Sequence, residues 1–279
     1  MTTENFDLKA KDGLALSAKI WQADGDAKGI ICLIHGFGEH QDRYAHVTEF
    51  FAQNQLITYS FDLRGHGNTA GKRGHFKNYE LLLDDIDSMI DKIKTTHPDV
   101  PIIIYGHSMG GNIVANYILK RPTQNLKGAL LTSPWFILTT QPTDGKIKMA
   151  RIMNKIFPGF AEEGNLDTDD LSHDKAVGTT YTADPLVQGK ISVRAFTSIY
   201  DAGLWAIDNA NKLSLPTLLV HGTSDKITSF EASVKFSKNA GEQCELKLWD
   251  GLRHETHNEL EKEKVLEYNL QWILKTINN

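Results

Sequence analysis

Short apolar runs alternate with helix-spaced stripes along most of the chain. Gly29–Ile34, Leu56–Phe61, Ile102–Tyr105, Leu126–Leu131 and Thr217–Val220 are apolar-rich runs, the pattern of strands buried on both faces of a parallel sheet. Leu14, Leu16, Ala18 and Ile20 alternate with other residues, which predicts an earlier, half-exposed strand, and Glu245–Trp249 reads as a late one. Between these runs, Tyr79, Leu82, Leu83, Ile86, Ile90 and Ile93 follow helical spacing over Asn78–Thr95, with Asn78 placed to cap the first turn. Asn112–Lys120 is a second helical stretch, and Leu266, Leu270, Ile273 and Ile277 form a comparable stripe near the C-terminus. Strands alternating with helices predict an α/β fold, a mostly parallel, doubly wound sheet with helices on both faces.

The alternation stops between about Trp135 and Lys212. That stretch shows no buried strand pattern, several helical fragments and a polar tract over Glu162–Asp170. It reads as a helical cap inserted over the sheet. The predicted organisation is therefore a core from 1–134 and 214–279, with a cap at 135–213. Within the cap, Met149, Ile152, Met153, Ile156, Phe157 and Phe160 recur at helical spacing, interleaved with Lys146, Lys148, Arg151 and Lys155. Such a helix packs its apolar face over a pocket or rests on a lipid surface. Ile152, Ile156 and Phe157 are the substrate-binding candidates on it.

Composition narrows the class. Among 279 residues, 30 Lys+Arg against 35 Asp+Glu leave a net charge of −5, which argues against a nucleic-acid binder. Two cysteines, Cys32 and Cys244, are too few for a disulfide framework and read as small buried hydrophobes. No apolar run approaches the length of a membrane span, and Met1–Ala10 has no apolar signal core. The expectation is a cytoplasmic protein, with peripheral contact to a membrane or micelle open through the cap.

Gly106-His107-Ser108-Met109-Gly110 carries the chemistry. It matches G-x-S-x-G, follows the strand over 102–105 and precedes the helix over 112–120, the context of a nucleophile elbow. The glycines leave room for a strained serine backbone that raises its hydroxyl above the sheet. A serine nucleophile needs a base and a group to orient that base, following in the order Ser, acid, His. Asp225 lies in the turn after the strand that ends near His221, and His254 lies just past the strand 245–249. Asp201, read as preceding a strand, and His257, read as a surface residue at the start of the last helix, are the rivals. The oxyanion donors are the backbone N–H of Met109 and that of Phe37, in the loop His35-Gly36-Phe37-Gly38-Glu39-His40. Glu39 and Arg43 are placed to brace that loop or to pair in solvent. Asp62, Arg64 and His66 read as turn hydrogen bonders. The spacing of His35, His40 and His46 fits no compact zinc motif, so no metal and no cofactor is expected.

The same segments resemble a known family. His35–His40 with Arg43-Tyr44 resembles the H-G-x-G-E-H…R-Y segment of monoacylglycerol lipases and related lysophospholipase-like serine hydrolases of the α/β-hydrolase fold. Phe61–Asn68 resembles the D-x-R-G-H-G-x part of their D-x-R-G-H-G-x-S segment. Gly106–Gly111 is similar to G-H-S-M-G-G. Leu171–Asp174 and Ala183–Leu186 are similar to cap segments of the same group. The resemblance implies Ser108, Asp225 and His254 as catalytic triad, Phe37 and Met109 as oxyanion hole, and a small lipid ester as partner, cleaved to fatty acid and glycerol. Lysophospholipase, short-chain carboxylesterase and a peptidase releasing N-terminal proline are the alternatives within the class. A non-catalytic ligand-binding protein on the same fold is the alternative outside it.

Overall fold

The computed structural model describes residues 2–164 and 166–279. In chain order the elements are β1 (Thr3–Lys9), β2 (Ala15–Trp21), β3 (Gly29–Ile34), α1 (Ala45–Gln53), β4 (Leu56–Phe61), α2 (Glu80–Thr96), β5 (Ile102–His107), α3 (Met109–Lys120) and β6 (Gly128–Thr132). After these come α4 (Asp144–Ile156), β7 (Ala161–Glu163), α5 (Lys175–Ala183), β8 (Lys190–Ser192), α6 (Val193–Asn209), β9 (Thr217–Gly222), α7 (Phe230–Ala240), β10 (Cys244–Trp249) and α8 (Lys262–Ile277).

The main sheet runs β1-β2-β4-β3-β5-β6-β9-β10. Its members from β4 to β10 are parallel, and the β1–β2 and β2–β4 pairs are antiparallel. The continuous apolar runs have a plain cause. Ile30, Cys32 and Ile34 join a core cluster with α2, α3, α6 and α7, whereas Ile31 and Leu33 join the cluster with α1 and α8. Each strand thus needs apolar side chains in both directions. The leading edge differs. β1, whose outward positions are exposed, buries only Leu8 fully, so its sequence has no run to announce it. Asn78 behaves as expected although α2 begins at Glu80: its Oδ1 accepts the N–H of Leu81 at 3.1 Å.

Between β6 and β9 the chain leaves the main sheet. This segment holds α4, α5, α6 and a ribbon in which β7 pairs with β8; the ribbon is short and half-exposed, so no apolar run marks it. α6 buries Ala195, Ile199, Ala206 and Ile207 in the core cluster shared with α3 and α7. α4 fully buries only Ile147.

Strand order reverses at β3. The chain passes from β3 to β4 on one side, then to β5 on the other. In open parallel sheets the crevice at the carboxyl ends of strands flanking such a switch is where ligands bind. The loops after β3 and β5 open there, and they carry Phe37 and Ser108.

Candidate active site

β5 ends on His107 and α3 begins at Met109, so Ser108 alone makes the bend from strand to helix. Its backbone stands at φ 53° and ψ −116°, a conformation that costs a side-chain-bearing residue roughly 1–3 kcal/mol. Close packing dictates the flanking glycines. A Cβ on Gly106 would lie 2.4 Å from the Gly110 carbonyl oxygen, and one on Gly110 would lie 2.1 Å from that of Ile34. The bend is held by the Ser108 N–H, donated to the Thr132 carbonyl, and by the Ser108 carbonyl, which accepts from Asn112 and Trp135.

His254 comes from the loop after β10. Its Nε2 is 3.0 Å from Ser108 Oγ, and its Nδ1 is 2.7 Å from Asp225 Oδ2. The Asp225 carboxylate is saturated with donors. Oδ1 accepts the N–H groups of Ile227 (2.7 Å) and Thr228 (2.9 Å). Oδ2 accepts the Thr228 hydroxyl (2.9 Å) and the Nε2–H of His221 (3.0 Å), besides His254. Burial penalises the charge on Asp225, yet His254 and these hydrogen bonds outweigh it and hold the carboxyl well below the usual range. An ionised Asp225 fixes the hydrogen of His254 on Nδ1, which leaves the Nε2 lone pair facing the serine. Burial pushes His254 down, but the carboxylates of Asp225, Glu255 and Glu39 prevail and raise it above the ordinary histidine value.

No motif marks His221. It sits on β9, donates to Asp225, and accepts the Ser233 hydroxyl at Nδ1 (2.7 Å). The one signal in its sequence context is its four-residue spacing from Asp225 across the strand end. A second such group is Glu255, directly after His254. Arg43 donates to both its oxygens (2.8 and 2.9 Å) and also pairs with Glu39. Glu39 accepts the N–H of Gly36 (2.6 Å) and the hydroxyl of Tyr44 (2.7 Å). Glu39, Arg43 and Glu255 therefore tie the loop after β3 to the loop of His254 through buried charges. A Cβ on Gly36 would lie 3.2 Å from Ser108 Cβ, so that loop abuts the serine. No hydrogen bond to a described residue engages the N–H of Phe37 or of Met109.

Ser108, His254 and Phe37 line a cavity of about 320 Å³. Trp135, Leu138, Leu171, Ile191 and Phe196 give it an apolar wall. Ile152, Ile156 and Phe157 are not in that wall: they stand 54%, 60% and 61% exposed. The apolar stripe of α4 is wider than the face that packs against α6; Ile152 and Ile156 occupy the uncovered part, and Phe157 follows the helix end. Asp201 and His257, the rival candidates, lie elsewhere. Asp201 lies within α6 and pairs with Arg151 on the surface. His257 is buried, contrary to the surface reading; its ring stacks on Tyr44 at 5.0 Å and its carbonyl faces His46 Nε2 at 2.9 Å. The other histidines have local duties as well. His35 Nε2 accepts the N–H of Leu63, and His40 Nε2 meets Asp184 at 2.8 Å. Asp62 accepts the N–H groups of Gln41 and Asn68, and Arg64 is shared between Asp85 and Asp12. Cys32 and Cys244 are buried and free.

The chain has relatives among known proteins. Residues 25–261 match the hydrolase family described as serine aminopeptidase, S33. The chain belongs to this family. Within reach of this S33-family chain lies a monoacylglycerol lipase of Mycolicibacterium smegmatis, 33% identical over 94% of each chain. An abhydrolase domain-containing protein of Dictyostelium discoideum is 35% identical over the whole of this chain, which spans 30% of that relative's length. Among solved structures, the monoacylglycerol lipase of Paleococcus ferrophilus superposes with a TM-score of 0.86 at 28% identity, over 94% of this chain and 99% of that one. The resemblance drawn from short motifs is thus a family relationship, the fold is that of the α/β-hydrolases, and the S33-family chain is a hydrolase. Among the described residues, no helix is long and apolar enough to cross a membrane.

Proposed function

We propose that the chain is a serine ester hydrolase that cleaves monoacylglycerol-type lipid esters to fatty acid and glycerol. The observation that carries this reading is the hydrogen-bonded series Ser108–His254–Asp225 opening onto an apolar cavity. His254 takes the Ser108 proton at Nε2 while Asp225 holds its Nδ1–H. Ser108 Oγ attacks the ester carbonyl, and the N–H groups of Phe37 and Met109 receive the oxyanion. His254 then protonates the leaving alcohol, and water activated at the same nitrogen releases the acid from the acyl-enzyme. Residues 135–213 act as the cap, whose apolar wall binds the acyl chain by burial, at about 0.8 kcal/mol per CH₂.

An aminopeptidase reading fits less well. It needs a free carboxylate to hold the substrate amine. Among the described residues, the carboxylates lining the cavity are Glu39 and Glu255, and Arg43 is bound to both. Glu162 and Glu163 are exposed and outside it. The exposed face of α4, with Ile152 and Ile156 among Lys148, Arg151 and Lys155 and Phe157 directly after it, supports transient contact with a lipid surface. A panel of monoacylglycerols, lysophosphatidylcholine and a proline arylamide, with Ser108→Ala as blank, tests the assignment. Monoacylglycerol is expected to turn over fastest; preferential turnover of the arylamide would replace ester hydrolysis with peptidase activity.

A further inference from the structure

α5 fully buries only Gly178, so no apolar stripe fixes where it lies. Polar groups at its two ends do. At the first end, Asp174 caps the helix, its Oδ1 accepting the N–H of Ala176 at 3.0 Å. Just before it the chain meets the loop of His254. The buried Glu259 carboxylate accepts the N–H of Arg253 (2.9 Å), the N–H of His173 (3.1 Å) and the Nδ1–H of His173 (2.9 Å). The N–H of Glu255 donates to the Leu171 carbonyl at 2.8 Å, and the Ser172 hydroxyl to that of Asn258 at 2.9 Å. The backbone N–H groups on either side of His254 are thus both committed to this junction.

At the other end, Pro185 keeps the residue before it out of the helical region, and Asp184 stands at φ −79° and ψ 118°. Its Oδ1 accepts the N–H of Leu186 at 2.8 Å, and its Oδ2 meets the Nε2 of buried His40 at 2.8 Å. A little further on, the N–H of Gln188 donates to the Gly38 carbonyl at 2.8 Å, and a Cβ on Gly38 would lie 2.5 Å from the Gln188 carbonyl oxygen. Gly38 and His40 belong to the loop that carries Phe37. Between the two ends, the Tyr181 ring lies 4.8 Å from the guanidinium of Arg43, which pairs with both Glu39 and Glu255.

We propose that α5 clamps the reaction centre, with Asp184 and Glu259 as positioning residues that hold the Phe37 loop and the His254 loop in register. The inference rests on the ester-hydrolase reading and gives this part of the cap a share in the chemistry. Glu259 acts through the backbone of Arg253, and Asp184 acts through His40. The N–H of Phe37 and the Nε2 of His254 serve one tetrahedral intermediate but come from loops far apart in sequence. A misplacement of about 1 Å between such groups costs about 10²-fold in rate.

4-Nitrophenyl acetate is the probe, since its acyl group has almost no chain for the cap to bind. In Asp184→Ala and in Glu259→Gln, kcat and kcat/KM are expected to fall together by at least about tenfold, with KM within about twofold of wild type, the pattern of an interaction used in the transition state alone. Releasing either end frees the same helix, so the double variant is expected to lose no more than about threefold beyond the larger single loss. A cooperative thermal transition above the assay temperature identifies folded variants. His173→Ala, at a side chain 41% exposed, replaces Glu259→Gln under the same expectation if that buried change prevents folding. A smaller fall in kcat in either single variant, a loss carried by KM, or a larger further loss in the double variant would each overturn the clamp. A wild type that leaves the acetate intact is a different result: it removes the ester-hydrolase reading, and this inference with it.

Discussion

The floor and the roof of the cavity are built on opposite terms. On the floor, Ser108, His254 and Asp225 are each at most 7% exposed, and the backbone around them is pinned by glycines that admit no Cβ and by carbonyls from neighbouring strands. In the roof, α4 fully buries one residue and leaves Met149, Ile152 and Ile156 more than half exposed. Proton transfer over 3 Å tolerates little displacement, so every group that touches the transfer is fixed by another. A hydrocarbon chain asks only for volume and apolar surface, which a loosely covered helix supplies. Sequence change should therefore cost most on the floor and least in the roof.

The largest effect is expected at the centre of the floor. Asp225→Asn keeps the shape but offers His254 the wrong hydrogen-bond partner, and kcat/KM for a short ester should fall about 10⁴-fold with little change in fold. A loss under tenfold would show that His254 keeps its tautomer without Asp225. Next comes the tie between the loops. Arg43→Met leaves Glu39 and Glu255 buried without a counter-charge, and stability should fall by about 3–5 kcal/mol, measured by urea unfolding. A neutral result would place that tie with the roof, as a dispensable contact.

Acid tests the same contrast without mutation. Burial pushes His35 down to about 4 and His66 and His107 down to about 3. The unfolded chain binds these protons near the ordinary value of 6.5, whereas the folded chain does not. The histidines' contribution is therefore complete above about 6.5 and is lost as pH falls toward the lower values. His254 has the opposite sign: its raised value adds stability below 6.5 that disappears as pH climbs through the raised value. The three depressed groups should prevail, so unfolding free energy should decline below about pH 6. A flat profile down to pH 4 would mean that these rings are hydrated. The smallest effect belongs to the roof. Ile152→Glu should slow turnover of vesicle-borne monoacylglycerol a few-fold and leave monodisperse butyrate within error. Equal losses on both substrates would make α4 part of the floor.

The same contrast governs what the sequence reveals. The elbow is legible because its requirements are local: a strand, two glycines at fixed offsets and a helix. Asp225 and His254, which the structure brings within 2.7 Å, stand out in the sequence because each follows a recognisable strand. His221 and Glu255 escape, since their value depends on partners 12 and 212 residues away, Ser233 and Arg43. His257 reads as surface because a polar residue near a helix start is usually solvated; only the packing of Tyr44 and His107 around it shows otherwise. On α4 the periodicity announces a helix but not which part of its stripe a neighbour covers. Ile152, Ile156 and Phe157 therefore stand on the open side rather than in the cavity wall.

Catalysis on these terms requires Ser108 to be a nucleophile activated by His254. Reaction of the intact protein with a fluorophosphonate, followed by mass spectrometry of its peptides across pH, tests it most directly. The expected result is one adduct, on the peptide containing Ser108, absent in Ser108→Ala, with a rate that drops on acidification through a midpoint above 6.5. Folded wild-type protein that takes no label, or a Ser108→Ala variant labelled at the wild-type rate, would contradict it.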